Sequence, residues 1–384
     1  MNRKQRRASA KTAAPVAPPA ADPMDLHALG VEAFRAGDNV RAVELIARAT
    51  ALNGQVPSFH YNLAIALKAL GRLQDAAASY QRALDLKPDY AEAHNNLGNV
   101  WKALGQRDKA RASFAQALAV RPGYAEAHYN LGVLAAEASE PDVAARHLEA
   151  CLDQDPGDSR GVRMLLARLG AGVAPQQTPP AHLLSLYDVR SRFWDGERYF
   201  GADLVAGGLR RHAGRDGLDI LDIGCGTGLV GAALRDLAGR LDGVDLSPAM
   251  LEKAKAKGVY DELFQGDLVS FLAGCVDRYD AVVGAATLIH FGDLEALFQA
   301  VFRSLRAQGL FVFTVFPHED AASDYAVAAN HALACSGCFG HSAAYVERLA
   351  RETGFSVAQM ETAVHEHDQD GNPVAGMLAV LQRA

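Results

Sequence analysis

Small and bulky apolar positions recur every 34 residues between Pro23 and Asp158. In that frame Leu29, Leu63, Leu97 and Leu131 align, as do Ala42, Ala76, Ala110 and Ala144. A bulky residue follows each alanine, at Ile46, Tyr80, Phe114 and Leu148, and then a small one at Ala49, Ala83, Ala117 and Cys151. Pro88, Pro122 and Pro156 close three of the units. A fixed period of this length predicts one helix-turn-helix unit stacked four times, over 23–56, 57–90, 91–124 and 125–158. The small residues let paired helices approach, the bulky ones fill the space between units, and proline stops the second helix. Ser159 to Leu169 then predicts a capping helix over the exposed face of the last unit, which carries the repeat region to residue 170.

The period ends there and a different pattern begins. Residues 171–180, AGVAPQQTPP, hold three prolines and no charge, which predicts a semi-extended linker. From 181 to 384 strand-like and helix-like segments alternate, the sign of an α/β domain with a mostly parallel sheet. Its clearest strand, LDILDI, runs into Gly224-x-Gly226-x-Gly228 and an amphipathic helix. Glycines suit that turn because the chain bends sharply and a side chain would keep a ligand from the backbone. Dinucleotide sites use G-x-G-x-x-G around a pyrophosphate. Here the spacing differs, and Asp222 stands just before it, poorly suited to a phosphate and well suited to a cationic amino-acid group.

Composition narrows the possibilities further. At 384 residues, two or three folding units are expected. The net charge of −7 argues against a general nucleic-acid binder. Every apolar run stops short of the ~18 residues of a membrane span. The first eleven residues carry five basic side chains and no acid, with no apolar run of a secretory signal after them. Residues 1–22 therefore read as a solvated tail, with docking to an acidic partner as the alternative. Five cysteines, an odd count scattered along the chain, fit reduced thiols in a cytoplasm. His331, Cys335, Cys338 and His341 have zinc-type side chains, but their spacing is tighter than a zinc finger's, and no metal is assigned.

The repeat frame resembles the tetratricopeptide repeat, whose units stack into a superhelix with the first helices lining a concave groove. Asn62, Asn96 and Asn130 share one repeat position, with Asn99 and Lys102 nearby. A ladder of carboxamides can donate to and accept from an extended peptide backbone. It is similar to the asparagine ladder of the repeat domain in the O-linked N-acetylglucosamine transferases, and implies a protein or peptide partner. The alternative is a helix face that these residues merely solvate.

The glycine loop with Asp222 resembles motif I of the class I S-adenosylmethionine-dependent methyltransferases. Three further segments resemble that family in order. LDGVDLSPAML puts Asp245 at the end of a second strand, where the family binds the cofactor ribose. FQGDL supplies Asp267, where the family uses an acid against the adenine amine, and Leu268 beside it. YDAVVGAATLIHF gives a fourth strand, and LRAQGLFVFTVF a fifth. The resemblance implies a Rossmann-like domain, S-adenosyl-L-methionine as cofactor, and in-line transfer of a methyl group. His290, just past the fourth strand, is the candidate general base, or else a structural histidine. Tyr187, Phe193 and Trp194, before the first strand, would pack over the ligand or anchor a lid. His341 and Tyr345 would reach the site mouth, or His341 would cap a helix. Where many base and glutamine methylases carry Asn-Pro-Pro-Tyr, this chain has Ala285-Ala286-Thr287-Leu288, which disfavours those acceptors. The fold class is thus multidomain, an all-α repeat superhelix followed by an α/β domain. The function read from it is a methyltransferase with a partner-binding repeat region. The alternatives are a small-molecule methyltransferase whose repeats serve assembly, and a non-catalytic cofactor-binding adaptor.

Overall fold

A computed structural model describes residues 22–191, 195, 199–318, 323–328, 338–368 and 370–384. It divides into two compact units, the first ending at Glu137 and the second beginning at Ala138. The division falls inside the fourth repeat, so the last repeat helix and the segment 171–180 go with the α/β unit.

The first unit holds α1 (Pro23–Arg35), α2 (Asn39–Leu52), α3 (Pro57–Ala69), α4 (Leu73–Leu86), α5 (Ala91–Ala103), α6 (Arg107–Val120) and α7 (Ala125–Glu137). First helices begin at 23, 57, 91 and 125, in step with the sequence frame. Asp22 and Asp38 cap α1 and α2 by accepting the Met24 and Arg41 amides at 2.8 and 2.9 Å. Gly37, Gly71 and Gly105 turn each helix pair with positive φ, and Ser139 takes the same conformation at the fourth turn. Ala76, Ala83, Ala110 and Ala117 are fully buried, with Tyr80 and Phe114 wedged between helices. A Cβ on Gly98 would stand 2.5 Å from the Phe114 ring, so only glycine fits there. Burial fails at the end of the stack: Leu29 is 51% exposed where its equivalent Leu97 is 4%.

The second unit opens with α8 (Pro141–Gln154) and α9 (Val162–Arg168). The expected cap is therefore one short helix. Buried Asp158 seats it, its two carboxylate oxygens accepting the Val162 and Arg163 amides at 2.5 and 3.0 Å. Then come α10 (Pro180–Arg190) and α11 (Gly201–His212).

The sheet contains β1 (Leu218–Ile223), β2 (Ala238–Asp245), β3 (Glu262–Gln265), β4 (Tyr279–Gly284), β5 (Leu305–Pro317), β6 (Tyr325–Val327), β7 (Phe339–His341), β8 (Phe355–His367) and β9 (Pro373–Arg383). Strands β3, β2, β1, β4 and β5 lie side by side and parallel, then β9 pairs antiparallel to β5 and β8 to β9. The short pair β6 and β7 extends the far end of β5. Helices α12 (Leu229–Leu234), α13 (Pro248–Lys257), α14 (Leu268–Ala273), α15 (Glu295–Ser304) and α16 (Ala343–Thr353) complete the unit.

Alternation along the strands builds two cores. Phe311 and Phe313 join Leu221, Val282 and Phe298, while Val312 joins Val205, Leu209, Ile220 and Val380. Strand order reverses between β1 and β4, so a crevice opens at the carboxyl ends of these two strands.

Candidate active site

That crevice is a cleft of about 220 Å³. Its walls come from the glycine loop after β1, the ends of β2 and β3, the loop after β4, and the segment 177–187. The first wall depends on an unusual backbone. Gly224 has φ +64, and a Cβ there would lie 2.4 Å from Thr287 Oγ1. Gly228 has φ +89 and opens α12, its own Cβ position 3.0 Å from the Tyr260 ring. Gly224, Gly226, Asp245, Asp267 and Leu268 line the cleft together, as do Thr227 and His290.

Asp245 fixes the loop as well as facing the cleft. Its Oδ2 accepts the Gly226 amide and its Oδ1 the Ser247 amide, both at 2.8 Å. Withdrawal from water raises its pKa, and the backbone amides pull it back down. Asp267 accepts the Ser270 amide at 2.9 Å and so caps α14 at the cleft edge.

Asp222 and Gly228 stand elsewhere. Asp222 is fully buried and not on the cleft wall, and Tyr260 donates its hydroxyl to Oδ2 at 2.6 Å. Burial pushes its carboxyl up to about 7 against the lowering effect of Tyr260. It stands outside the cleft lining, with its other oxygen, Oδ1, buried and without a hydrogen-bond partner among the described residues.

His290 ends a short 3-10 turn at Leu288–His290, and its Nε2 lies 2.5 Å from the Tyr187 hydroxyl. Burial drives the Tyr187 phenol upward, so it stays protonated and can donate to the imidazole. Both side chains line the cleft. The segment expected as a linker also belongs here. Thr178 donates its amide to the His290 carbonyl at 2.8 Å, and Gly292 donates to the Gln176 carbonyl at 2.8 Å. Gln177 and Thr178 are therefore a wall of the cleft rather than a free tether.

His341 and Tyr345 do not reach the mouth. His341 Nε2 is held by the Phe291 and Gly292 carbonyls at 2.9 and 3.1 Å, and burial lowers its pKa to about 4. Tyr345 accepts the Leu294 amide and donates to Asp293, so the two residues brace the loop after β4 from behind. Ser342, not His341, caps α16. Phe193, Trp194, His331, Cys335 and the tail 1–21 lie outside the described residues; Cys338 is buried.

Sequence reasoning missed Asp195. It accepts the Thr227 hydroxyl and the Lys257 ammonium, the latter at 2.6 Å, while Lys257 also donates to the Thr227 carbonyl at 2.8 Å. Its only signal was its place in the FWD segment before the first strand. Tyr260 had none.

In the repeat unit the three asparagines do form a series, and each ties one repeat to the previous one. Asn62 Nδ2 meets His27 Nε2 at 2.8 Å, Asn96 donates to the Tyr61 hydroxyl at 3.0 Å, and Asn130 to Asn95 Oδ1 at 2.9 Å. All three are half-buried. Asn62 and Asn130 thus spend one amide hydrogen within the stack and keep a second with the carbonyl oxygen, whereas Asn96 also bonds to Tyr80 and keeps its carbonyl oxygen. Lys102 pairs with Glu137 at 2.8 Å, and Asn99 lies one turn from Asn96 on α5.

A family model for a methyltransferase domain matches residues 220–309, and two for tetratricopeptide repeats match 66–105 and 95–159. A malonyl-[acyl-carrier protein] O-methyltransferase from Acetivibrio thermocellus is 33% identical over 111 residues, 26% of this chain and 36% of that protein. A ubiquinone biosynthesis O-methyltransferase from Methylobacterium sp. is 30% identical over 113 residues, 26% of this chain and 45% of that one. The chain thus spans less than half the length of these relatives. A 1,6-didemethyltoxoflavin-N1-methyltransferase from Burkholderia thailandensis, solved with S-adenosylhomocysteine, is 21% identical across 53% of this chain and 87% of its own, with a TM-score of 0.43. In the described residues no helix is long and apolar enough to cross a membrane. With the parallel sheet and the glycine cleft in place, the chain carries tetratricopeptide repeats within residues 66–159 and, within 220–309, a methyltransferase domain.

Proposed function

We propose that the chain is an S-adenosylmethionine-dependent methyltransferase whose repeats hold a protein or peptide that is the methyl acceptor or presents it. One observation carries the enzymatic part. The glycine loop with Asp245 and the Tyr187–His290 pair face each other across a single cleft. A bare binding fold has no need of the second wall.

The residues present fit the cofactor. Gly224 and Gly226 leave backbone uncovered, Asp245 offers carboxylate oxygens suited to ribose hydroxyls, and Asp267 with Leu268 suits an adenine edge. Bound there, S-adenosylmethionine supplies a methyl group on a sulfonium for in-line displacement. The chain itself supplies alignment and exclusion of water. The strap at 176–180 and Leu183 close one side of the cleft. Tyr187 and His290 can take a proton from a hydroxyl or amine acceptor, the imidazole receiving it through the phenol.

The repeat reading rests on the remaining amide groups of Asn62, Asn96 and Asn130. A small-molecule acceptor is the second reading, favoured by the small volume of the cleft. The deciding experiment gives radiolabelled S-adenosylmethionine and full-length protein to a cell extract and follows the label. Label in a macromolecular fraction supports the first reading. Label confined to small molecules, with Asn99→Arg turning over normally, sinks it. No transfer at all, with cofactor bound, points to an adaptor.

A further inference from the structure

Strand β8 carries an irregularity: pairing with β9 slips between Val364 and Glu366. Such a bulge re-aims side chains. Here it turns two consecutive residues inward, His365 at 1% and Glu366 at 3% exposure. Gly376 on β9 makes the room, since a Cβ there would lie 2.6 Å from His365 Cβ. Burying a carboxylate and an imidazole side by side is costly, and Glu366 Oε1 has no hydrogen-bond partner. A purely structural strand end gains nothing from this.

The pair leads to the cleft. Glu366 Oε2 lies 3.8 Å from His365 Nδ1, a charge contact beyond hydrogen-bond reach, and Nδ1 has no other partner among the described residues. His365 Nε2 lies 3.1 Å from Thr314 Oγ1, and Thr314 Oγ1 accepts the Ala286 amide at 3.1 Å. The carboxylate favours a proton on Nδ1. Nε2 is then an acceptor, so Thr314 donates to it and keeps its lone pairs for Ala286. The two hydrogen bonds, Ala286 to Thr314 and Thr314 to His365, then run the same way. A hydroxyl, an imidazole and an acid in series also suit a nucleophile, but Thr314 is fully buried and its oxygen already occupied. That excludes a covalent role.

Ala286 is where the series ends, and it is strained. It has φ +55, a left-handed conformation that non-glycine residues rarely adopt, and it lines the cleft. The next residue, Thr287, donates its hydroxyl to the Ile223 carbonyl at 2.9 Å and packs into the space that Gly224 leaves. His290 donates its amide to the Thr287 carbonyl at 3.1 Å. The loop is therefore clamped to β1 on one side and to β5 and β8 on the other, with His290 at its end.

We propose that Glu366, His365 and Thr314 are positioning residues: His365 and Thr314 are joined by a buried hydrogen bond, the Glu366 carboxylate lies beside the imidazole, and together they hold the left-handed Ala286 backbone and, through it, set His290 against Tyr187. The proposal rests on the methyltransferase reading only in taking the cleft as the active site.

The test is an imidazole-nitrogen NMR spectrum of the full chain labelled at histidine, with His290 and His365 assigned from His290→Gln and His365→Gln. In the unmodified protein His365 is expected as the Nδ1–H tautomer; a proton on Nε2 overturns the proposal. Thr314→Val is expected to shift the His290 nitrogen signals away from those of the unmodified protein. Thr314→Ser, which keeps the hydroxyl, is expected to restore them. An unmoved His290 in a folded Thr314→Val protein, or a serine variant that behaves like valine, also overturns it. S-adenosylmethionine titration of the unmodified protein is read separately. Absence of binding there sinks the methyltransferase reading while the histidine spectra still decide the positioning role.

Discussion

The Tyr187 hydroxyl and the His290 Nε2 meet at 2.5 Å across 103 residues of sequence. Because burial keeps the phenol protonated, this is one polar unit rather than two side chains that happen to be close. His290→Ala is expected to lower kcat for the acceptor found by labelling by about 10²- to 10⁴-fold, the usual contribution of a general base. Tyr187→Phe should lose a smaller part of it, and neither should change S-adenosylmethionine affinity more than twofold. The pH–rate profile checks this. If both variants keep full kcat, the pair is structural.

Asp245 has two tasks, holding the Gly226 amide and facing the cleft. Asp245→Ala should therefore weaken S-adenosylmethionine binding at least tenfold, about 1.4 kcal/mol. Asp245→Asn, which still accepts from Gly226, should lose less. Calorimetric titration of the full chain decides it, and an unchanged affinity would mean the ribose assignment is wrong.

Asp222 makes stability depend on pH. Its folded carboxyl titrates at about 7, against about 3.9 for an unfolded aspartate. The folded chain therefore keeps a proton that the unfolded chain has lost. This stabilisation is complete below about pH 4 and disappears as pH rises through 7. Over that window it is worth up to roughly 4 kcal/mol, three pKa units at 1.36 kcal/mol each. Asp222→Asn removes the titration. Urea unfolding at several pH values should show the wild type losing ground to the variant from pH 4 to 8; a difference that stays flat would contradict the burial argument.

Gly98 faces the Phe114 ring with no room for a side chain. Gly98→Leu should destabilise the repeat unit by about 1–3 kcal/mol through overpacking, or unfold it. The helical circular-dichroism transition should fall in temperature. A melting curve superimposable on the wild type would show that the stack can spread at that point.

Thr178 tests the strap. Thr178→Pro deletes the amide that serves the His290 carbonyl, and an unsatisfied buried carbonyl costs about 1–3 kcal/mol. Cofactor affinity and unfolding midpoint should both drop. If they hold, residues 176–178 are a loose tether after all.

Much of this molecule was legible in advance, for local reasons. The repeat helices begin where the 34-residue frame places them, because each unit repeats the same contacts with its neighbours and so the same residue types at the same spacing. The glycine loop was legible because its backbone bends within five residues and only glycine tolerates it. Asp245, Asp267 and Leu268 were singled out by family resemblance at strand ends, and all three line the cleft.

What tertiary structure decided are partnerships without a period. Asp222 reads as a ligand group from its neighbours in sequence; that Tyr260, 38 residues on, donates to it and that it is fully buried follow from packing. His341 carried the same ambiguity until two carbonyls 49 and 50 residues away claimed its Nε2. The segment 171–180 has the composition of a linker, yet backbone pairing with 290–292 makes part of it a cleft wall, and composition does not record backbone partners. The sequence by itself determined two modules and one glycine loop, because periodicity and local backbone geometry are written in residue order. Which polar groups meet in the cleft was decided only when strands distant in the chain came side by side, because hydrogen bonds depend on distance in space.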